Sequence, residues 1–279
     1  MKKYPKFSVL MSVYKNDNPE YFRLALESII NQTVRPDEVV LVIDGPVSQD
    51  ISKVIQEIKA GSSILKTLQL EKNMGLGIAL QKGLEKCQYE LVARMDSDDL
   101  SVENRFEKQL EIFINQENVS IVGGGIDEFE KDPTKPISKR TLPTEDKAIK
   151  TFMKRRNPLN HPTVMFKKQA VLDAGNYQDW HYNEDYYLWI RMYQKGCRFR
   201  NIDDVLVHMR VGEGLYSRRG GKEYFISQKK LFKYMKEHKI ISRFCYVRNI
   251  MERYIGQVLL PVNIRSKLYS KLFRKQTKL

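Results

Sequence analysis

Asp96-Ser97-Asp98-Asp99 places three carboxylates within four residues, directly after the apolar run Leu91-Val92-Ala93-Arg94-Met95. Carboxylates this close repel one another unless a cation or a basic group compensates them. Oxygen-rich clusters of this kind suit Mg2+ or Mn2+, hard ions that keep some of their water and bridge a few carboxylates to a diphosphate. The same stretch also reads as the start of a helix, where Asp complements the macrodipole and Ser101 acts as the cap. Both readings stay open on these residues alone. Arg94 is placed to pair with Asp96 or with a phosphate. Cys87, Cys197 and Cys245 are far apart, odd in number and without CxxC spacing, which argues against a disulfide framework and a zinc site and fits a reducing, cytosolic setting.

The elements that must carry these side chains follow from periodicity. Phe7–Val13 is a short apolar run, Pro19–Ile30 repeats apolar residues at helical spacing, and Glu38–Ile43 is nearly all apolar and stops at Asp44-Gly45-Pro46. The pattern continues with a helix over Ile51–Ile58, a strand over Leu65–Leu70, a helix over Ile78–Cys87 and a strand over Glu90–Met95. A helix over Glu103–Asn115 and a strand over Val119–Val122, ending in Gly123-Gly124-Gly125, complete the series. Such alternation predicts an α/β fold with a mostly parallel sheet flanked by helices, whose ligands gather at the carboxyl ends of the strands. Asp127–Pro143 is polar, holds three prolines and reads as loop. A short strand is expected at Thr163–Phe166 and a helix from Asp185 to Lys195, ended by Gly196.

Ser8-Val9-Leu10-Met11-Ser12-Val13-Tyr14-Lys15-Asn16, Leu26-Glu27-Ser28-Ile29-Ile30-Asn31-Gln32-Thr33, Val42-Ile43-Asp44-Gly45, Asn73-Met74-Gly75 and Asp96-Ser97-Asp98-Asp99 occur in this order, followed by Asn183-Glu184-Asp185-Tyr186-Tyr187-Leu188-Trp189. Together they resemble the family 2 glycosyltransferases of the GT-A fold, over residues 7–215. The resemblance implies a nucleotide cradle at Val13, Tyr14 and Asp44, with Asp44 accepting from the N3–H of uracil, and a sugar-side loop at Asn73 and Gly75. One departure touches the base: Ile43 stands where the family often has a second acid. Asp96 and Asp98 match the DXD positions, Asp98 as direct metal ligand and Asp96 toward ribose or metal-bound water. Asp185 matches the base that takes the proton of the attacking acceptor hydroxyl, with Glu184 in reserve, and one base in one in-line step implies inversion. His208 is a candidate to complete the metal site and His161 a candidate on the acceptor side. Arg210, Arg218 and Arg219 are candidates for bidentate contacts to the diphosphate.

The domain division expected is 1–217 for the GT-A part, with 1–125 nucleotide-binding and 126–217 acceptor-binding, and 218–279 as a basic helical extension. Residues 218–279 hold 17 Lys/Arg against 3 Asp/Glu, whereas residues 1–217 hold 31 of each, so the whole net charge of +14 lies in the extension. Basic residues mixed with aromatic and aliphatic ones suit an anionic membrane surface. Nucleic acid attracts the same charge, but no nucleic-acid module is recognisable, so it is not the expected partner. No run approaches the roughly 20 apolar residues of a transmembrane helix, and Met1-Lys2-Lys3 leads into no signal peptide. The expectation is a cytoplasmic, Mg2+- or Mn2+-dependent inverting enzyme, peripheral on the inner face of the plasma membrane. It would move a sugar from a UDP-linked donor to a glycan or polyprenyl-diphosphate-linked acceptor in surface polysaccharide biosynthesis. Two other classes stay open: a nucleotidyltransferase, although Tyr14-Lys15-Asn16-Asp17-Asn18-Pro19 lacks the glycine- and basic-rich loop that such enzymes carry, and a non-catalytic binding protein with a basic tail.

Overall fold

Four parallel strands, β1 (Phe7–Val13), β2 (Glu38–Ile43), β3 (Leu65–Gln69) and β4 (Leu91–Met95), lie in the order β3-β2-β1-β4. The computed structural model describes residues 3–212, 221–260 and 275–276. The intervening helices α1 (Pro19–Ile30), α2 (Gln49–Gly61) and α3 (Leu76–Lys86) make the crossovers. β1 is buried on both faces, and its pleat divides it between two cores: Leu10 joins the one that includes α3, while Val9, Met11 and Val13 join the one beneath α1 and α2. Asn18 starts α1 by accepting from the backbone N–H of Glu20 and Tyr21, with Pro19 at the first helical position. Gly83 lets α3 settle onto the sheet, since a Cβ there would lie 2.5 Å from both Leu10 and Val42 side-chain carbons.

Beyond β4 the sheet becomes mixed. The short β5 (Leu100–Ser101) and α4 (Arg105–Asn115) lead to β6 (Ile121–Phe129) and β7 (Ser138–Arg140). Helix α5 (Asp146–Met153), a 3-10 turn at His161–Thr163, β8 (Met165–Lys167), α6 (Lys168–Asp173), α7 (Glu184–Gln194) and β9 (Phe199–Arg210) follow. β8 is antiparallel to both β4 and β6, and β9 runs parallel to β6. Gly123-Gly124-Gly125, expected to end a strand, instead lies inside β6. A Cβ at Gly124 would meet Leu206 at 2.4 Å and one at Gly125 the Asp204 carbonyl oxygen at 2.9 Å, so the glycines admit β9 and its bulge. The stretch expected to be loop therefore begins as strand, through Phe129. The first helices of the extension are α8 (Lys222–Glu237) and α9 (Arg243–Tyr254), continued by a π turn at Ile255–Leu259. Leu231, Phe232 and Met235 enter the same core as Tyr186 and Trp189 of α7.

Candidate active site

The carboxyl ends of β1, β2 and β4 form one rim. Val13 of β1 stands level with Ile43 of β2, and the Asp44 N–H donates to the Val13 carbonyl at 2.8 Å. Tyr14 is exposed just beyond. Asp44 is buried, and its carboxylate accepts from Met74 N at 2.7 Å, Gly75 N at 3.0 Å and Asn73 Nδ2 at 3.0 Å. It clasps the 73–75 loop with three of its roughly four acceptor sites, and Asn73 and Gly75 are accordingly partners of Asp44. The turn must be tight: Gly45 has φ +84°, and a Cβ there would sit 2.5 Å from Asn73 N. From Gly75 the chain enters α3, and Gly77 lies so close to the opposite wall that a Cβ would be 2.6 Å from the Gln178 carbonyl oxygen and 3.5 Å from Glu184 Cβ. The loop that Asp44 holds therefore reaches the acidic pair at the start of α7.

On the β4 side, the buried Arg94 donates from Nη2 to Asp96, while its Nε and Nη1 have no hydrogen-bond partner. Asp98 opens to solvent yet is closely surrounded, and desolvation, then the charges of Asp96 and Asp17, push its carboxyl up to about 6. Asp17, from the loop after β1, joins this group. It accepts from Ser97 Oγ at 2.8 Å and Tyr14 N at 3.1 Å, and burial first, with Asp96 adding, raises it to about 6. Sequence reasoning passed over Asp17; the signal was a carboxylate four residues beyond the first strand. Asp99 turns inward, accepts from Arg210 N at 2.8 Å and is raised well above the carboxylate range by burial and by Asp98. Arg210 Nε donates to the Asp98 carbonyl, and its guanidinium stacks 3.8 Å from the Tyr21 ring centre and 4.6 Å from that of Phe129. It is thus seated at the acidic turn, while Arg218 and Arg219 lie outside the described residues.

Asp185 opens α7, with Oδ2 accepting from Asn157 Nδ2 at 2.6 Å and Oδ1 from the Tyr186 N–H at 2.6 Å. Arg140 donates to the Asn157 carbonyl and to Asn160 Oδ1, fixing the segment that presents Asn157. Burial raises Asp185, and burial with the Asp185 charge pushes Glu184 up to about 7. Both groups also feel the Arg94 charge, and Glu184 that of Asp96, so the acidic pair of α7 lies within electrostatic range of Arg94 and of the turn after β4. His161 bonds to Tyr177 Oη at 3.0 Å, and burial, then Arg94, holds it neutral, well below its ordinary value. It is half of a His–Tyr pair.

His208 Nδ1 lies 2.7 Å from Asp127 Oδ1, in a cavity of about 580 Å3 lined also by Ser28, Ser101, Pro133 and Pro136. The residue expected to complete a metal site is here paired with Asp127, and β9 sets it level with Leu100, directly after the acidic turn. Among the described residues no group of three or more His, Cys, Asp or Glu side chains is arranged to hold a metal. Asp96 and Asp98 nonetheless fit Mg2+ or Mn2+ as donors: they are hard oxygens in a locally over-negative turn, and these ions leave most of their positions to water and substrate phosphates.

The chain is similar to known proteins over most of its length. Over residues 8–175 the chain matches the family described as Glycosyl transferase family 2. It is 39% identical over 271 residues, 97% of this chain and 98% of the relative, to a UDP-Gal:alpha-D-GlcNAc-diphosphoundecaprenol beta-1,3-galactosyltransferase of Escherichia coli. It is 37% identical over 267 residues, 95% of this chain and 98% of the relative, to the amylovoran biosynthesis glycosyltransferase AmsE of Erwinia amylovora. The crystal structure of S. aureus TarS 1-349 in complex with UDP-GlcNAc superposes with a TM-score of 0.66 at 18% identity, over 95% of this chain and 77% of that one. The family match covers more than half of the chain and the relatives align along nearly its whole length, so the chain belongs to the family 2 glycosyltransferases.

Proposed function

We propose that the enzyme transfers a hexosyl or N-acetylhexosaminyl group from a UDP-sugar to a polyprenyl-diphosphate-linked glycan in the assembly of a surface polysaccharide, with inversion and with Mg2+ or Mn2+. What supports this reading is that Arg94, bonded to Asp96, lies within electrostatic range of both Glu184 and Asp185. The donor and acceptor classes rest on the Escherichia coli relative, whose name specifies UDP-Gal and a diphosphoundecaprenol acceptor and which matches this chain along almost its entire length.

The nucleotide lies along the β1–β2 rim, against Val13 and Tyr14, with Asp44 offering its remaining acceptor site or, through its grip on residues 73–75, fixing the loop that borders the sugar. Asp98 and Asp96 would hold the divalent ion, which would supply Lewis-acid stabilisation of the charge on the departing diphosphate. Arg94 keeps Asp96 aimed, and Arg210 buttresses the turn from behind through Asp98 and Asp99. Asp185, held by Asn157 and by the first turn of α7, accepts the proton of the acceptor hydroxyl as it attacks the anomeric carbon. Glu184 stands beside it and orients the acceptor. With Asp185 as the single base, the hydroxyl displaces the diphosphate in one step, which inverts the anomeric carbon.

The test is a panel of UDP-, GDP- and dTDP-sugars offered with a short-chain polyprenyl-diphosphate GlcNAc acceptor, with Mn2+, with Mg2+ and with EDTA, and with the product anomer read by NMR. Transfer from a UDP-sugar alone, abolished by EDTA and inverted at the anomeric carbon, is expected. A retained configuration, EDTA-resistant turnover or preference for GDP or dTDP would each overturn the corresponding part.

A further inference from the structure

The hairpin of α8 and α9 has one face too apolar for water. Along α9 and its π-turn continuation, Phe244, Val247, Met251, Tyr254, Ile255 and Leu259 fall on one side at helical spacing and are all exposed, Phe244 to 79%, Met251 to 55% and Leu259 to 58%. The opposite side is the packed one. Asn249 is fully buried and donates to the Lys154 carbonyl, and Arg253 lies over the Phe232 ring. Tyr254, at the edge of the stripe, meets the Phe225 ring of α8 edge-on at 5.5 Å, and the rest of the stripe is a second, exposed apolar face on a helix already anchored. Contiguous exposed apolar surface of this kind marks an interaction site. Charge says which partner. The net positive charge of the whole protein resides in residues 218–279, and exposed Lys229, Lys230, Lys239 and Arg243 lie on the same hairpin. An apolar stripe with a cationic surround is complementary to an anionic lipid bilayer, where the stripe enters the acyl boundary and the cations meet the headgroups. A protein partner fitting the stripe would need no such excess, and nucleic acid would not need the apolar side chains. No helix among the described residues is long and apolar enough to cross a membrane, so the seat is on the surface.

We propose that α9 docks this enzyme on an anionic membrane surface through Phe244, Val247, Met251, Tyr254, Ile255 and Leu259. The inference stands on the hairpin and does not require the donor assignment above. The experiment is flotation of the full chain with phosphatidylcholine vesicles and with vesicles containing phosphatidylglycerol, for the wild type and for a Phe244→Ser, Val247→Ser, Met251→Ser variant. All three positions are outside the core. The wild type is expected to float with the phosphatidylglycerol vesicles only. The variant should partition less by on the order of tenfold or more, because three large apolar side chains leave the interface, while its turnover of a water-soluble acceptor is kept. A single Phe244→Trp variant supplies a second readout, its emission shifting to the blue and being quenched by brominated lipid. Wild type remaining in the bottom fraction, variant and wild type floating alike, emission of the Phe244→Trp variant indifferent to lipid, or light scattering that shows the stripe variant splitting a dimer into monomers would each overturn the proposal.

Discussion

Asp185 and Glu184 are adjacent in sequence, but their surroundings differ, and the proposed reaction gives them different work. Asp185 has both oxygens engaged by donors that favour the carboxylate, whereas Glu184 is raised by burial first and by the Asp185 charge second. Asp185→Asn should lower kcat by roughly 10^2- to 10^4-fold with UDP affinity, measured calorimetrically, unchanged. Equal losses in both would assign Asp185 to donor binding. Glu184 carries a pH signature. A carboxyl whose folded pKa exceeds its unfolded one contributes stability in full below its ordinary 4.5 and loses that contribution as pH rises through about 7. Glu184→Gln should therefore remove part of the fall in unfolding free energy between pH 5 and pH 8, on the order of 2 kcal/mol, as measured by denaturant titration. An unchanged pH dependence would show that Glu184 is solvated in the folded chain. The acidic residues of the site were legible in the sequence because three carboxylates at a strand end are unusual chemistry. Asp17 was not, since a lone Asp in a polar loop has no local mark until folding sets it against Ser97.

Among the elements, α3 carries the tightest constraint on the site. Its first turn touches the loop that carries Gln178 and Glu184 through Gly77, and its last turns lie on β1 and β2 through Gly83. Gly77→Ala places a methyl group 2.6 Å from a backbone oxygen, which neither side can move cheaply. Steady-state kinetics should show kcat/KM lower by about 10- to 100-fold, while Gly61→Ala, where a Cβ meets nothing within 4 Å, serves as the silent control. If Gly77→Ala is also silent, the α3–α7 contact is not what spaces the two halves of the cleft. The first four strands and their crossovers were legible because buried parallel strands are apolar runs and amphipathic helices repeat at 3.6 residues. β9 was not. Its run Phe199–Arg210 mixes Asn201, Asp203 and Asp204 with apolar residues, and its pairing partner is the glycine stretch of β6, whose composition suggests a turn. What makes both of them strands is their mutual contact, which neither sequence carries alone.

For the molecule as a whole, the first helix of the basic extension bonds to the segment that leads into the proposed catalytic pair. Ser227 of α8 accepts from Asn183 Nδ2 at 2.9 Å and donates to the His181 carbonyl at 2.6 Å, so α8 pins the residues immediately before Glu184-Asp185, where Tyr182 adopts φ +73°. Ser227→Ala should cost roughly 1–2 kcal/mol of stability in thermal or denaturant unfolding and reduce kcat more than UDP affinity. A stable variant with unchanged kcat would make the extension a bystander to chemistry. Tyr186 packing edge-on against Phe232 predicts the same dependence at the level of the core.

The sequence by itself determined the α/β class, the order of the nucleotide-side motifs, the acidic turn and pair, and where the positive charge lies, because these depend on residue type and on spacing within ten or twenty positions. The tertiary structure alone decided that Asp44 grips a loop 30 residues away, that His208 pairs with Asp127, that Asp17 joins the acidic turn, and that α8 steadies the residues ahead of α7. Each of these is a contact between segments distant in sequence. Which of several possible partners a polar side chain takes is set by which backbone the packed cores bring within about 3 Å.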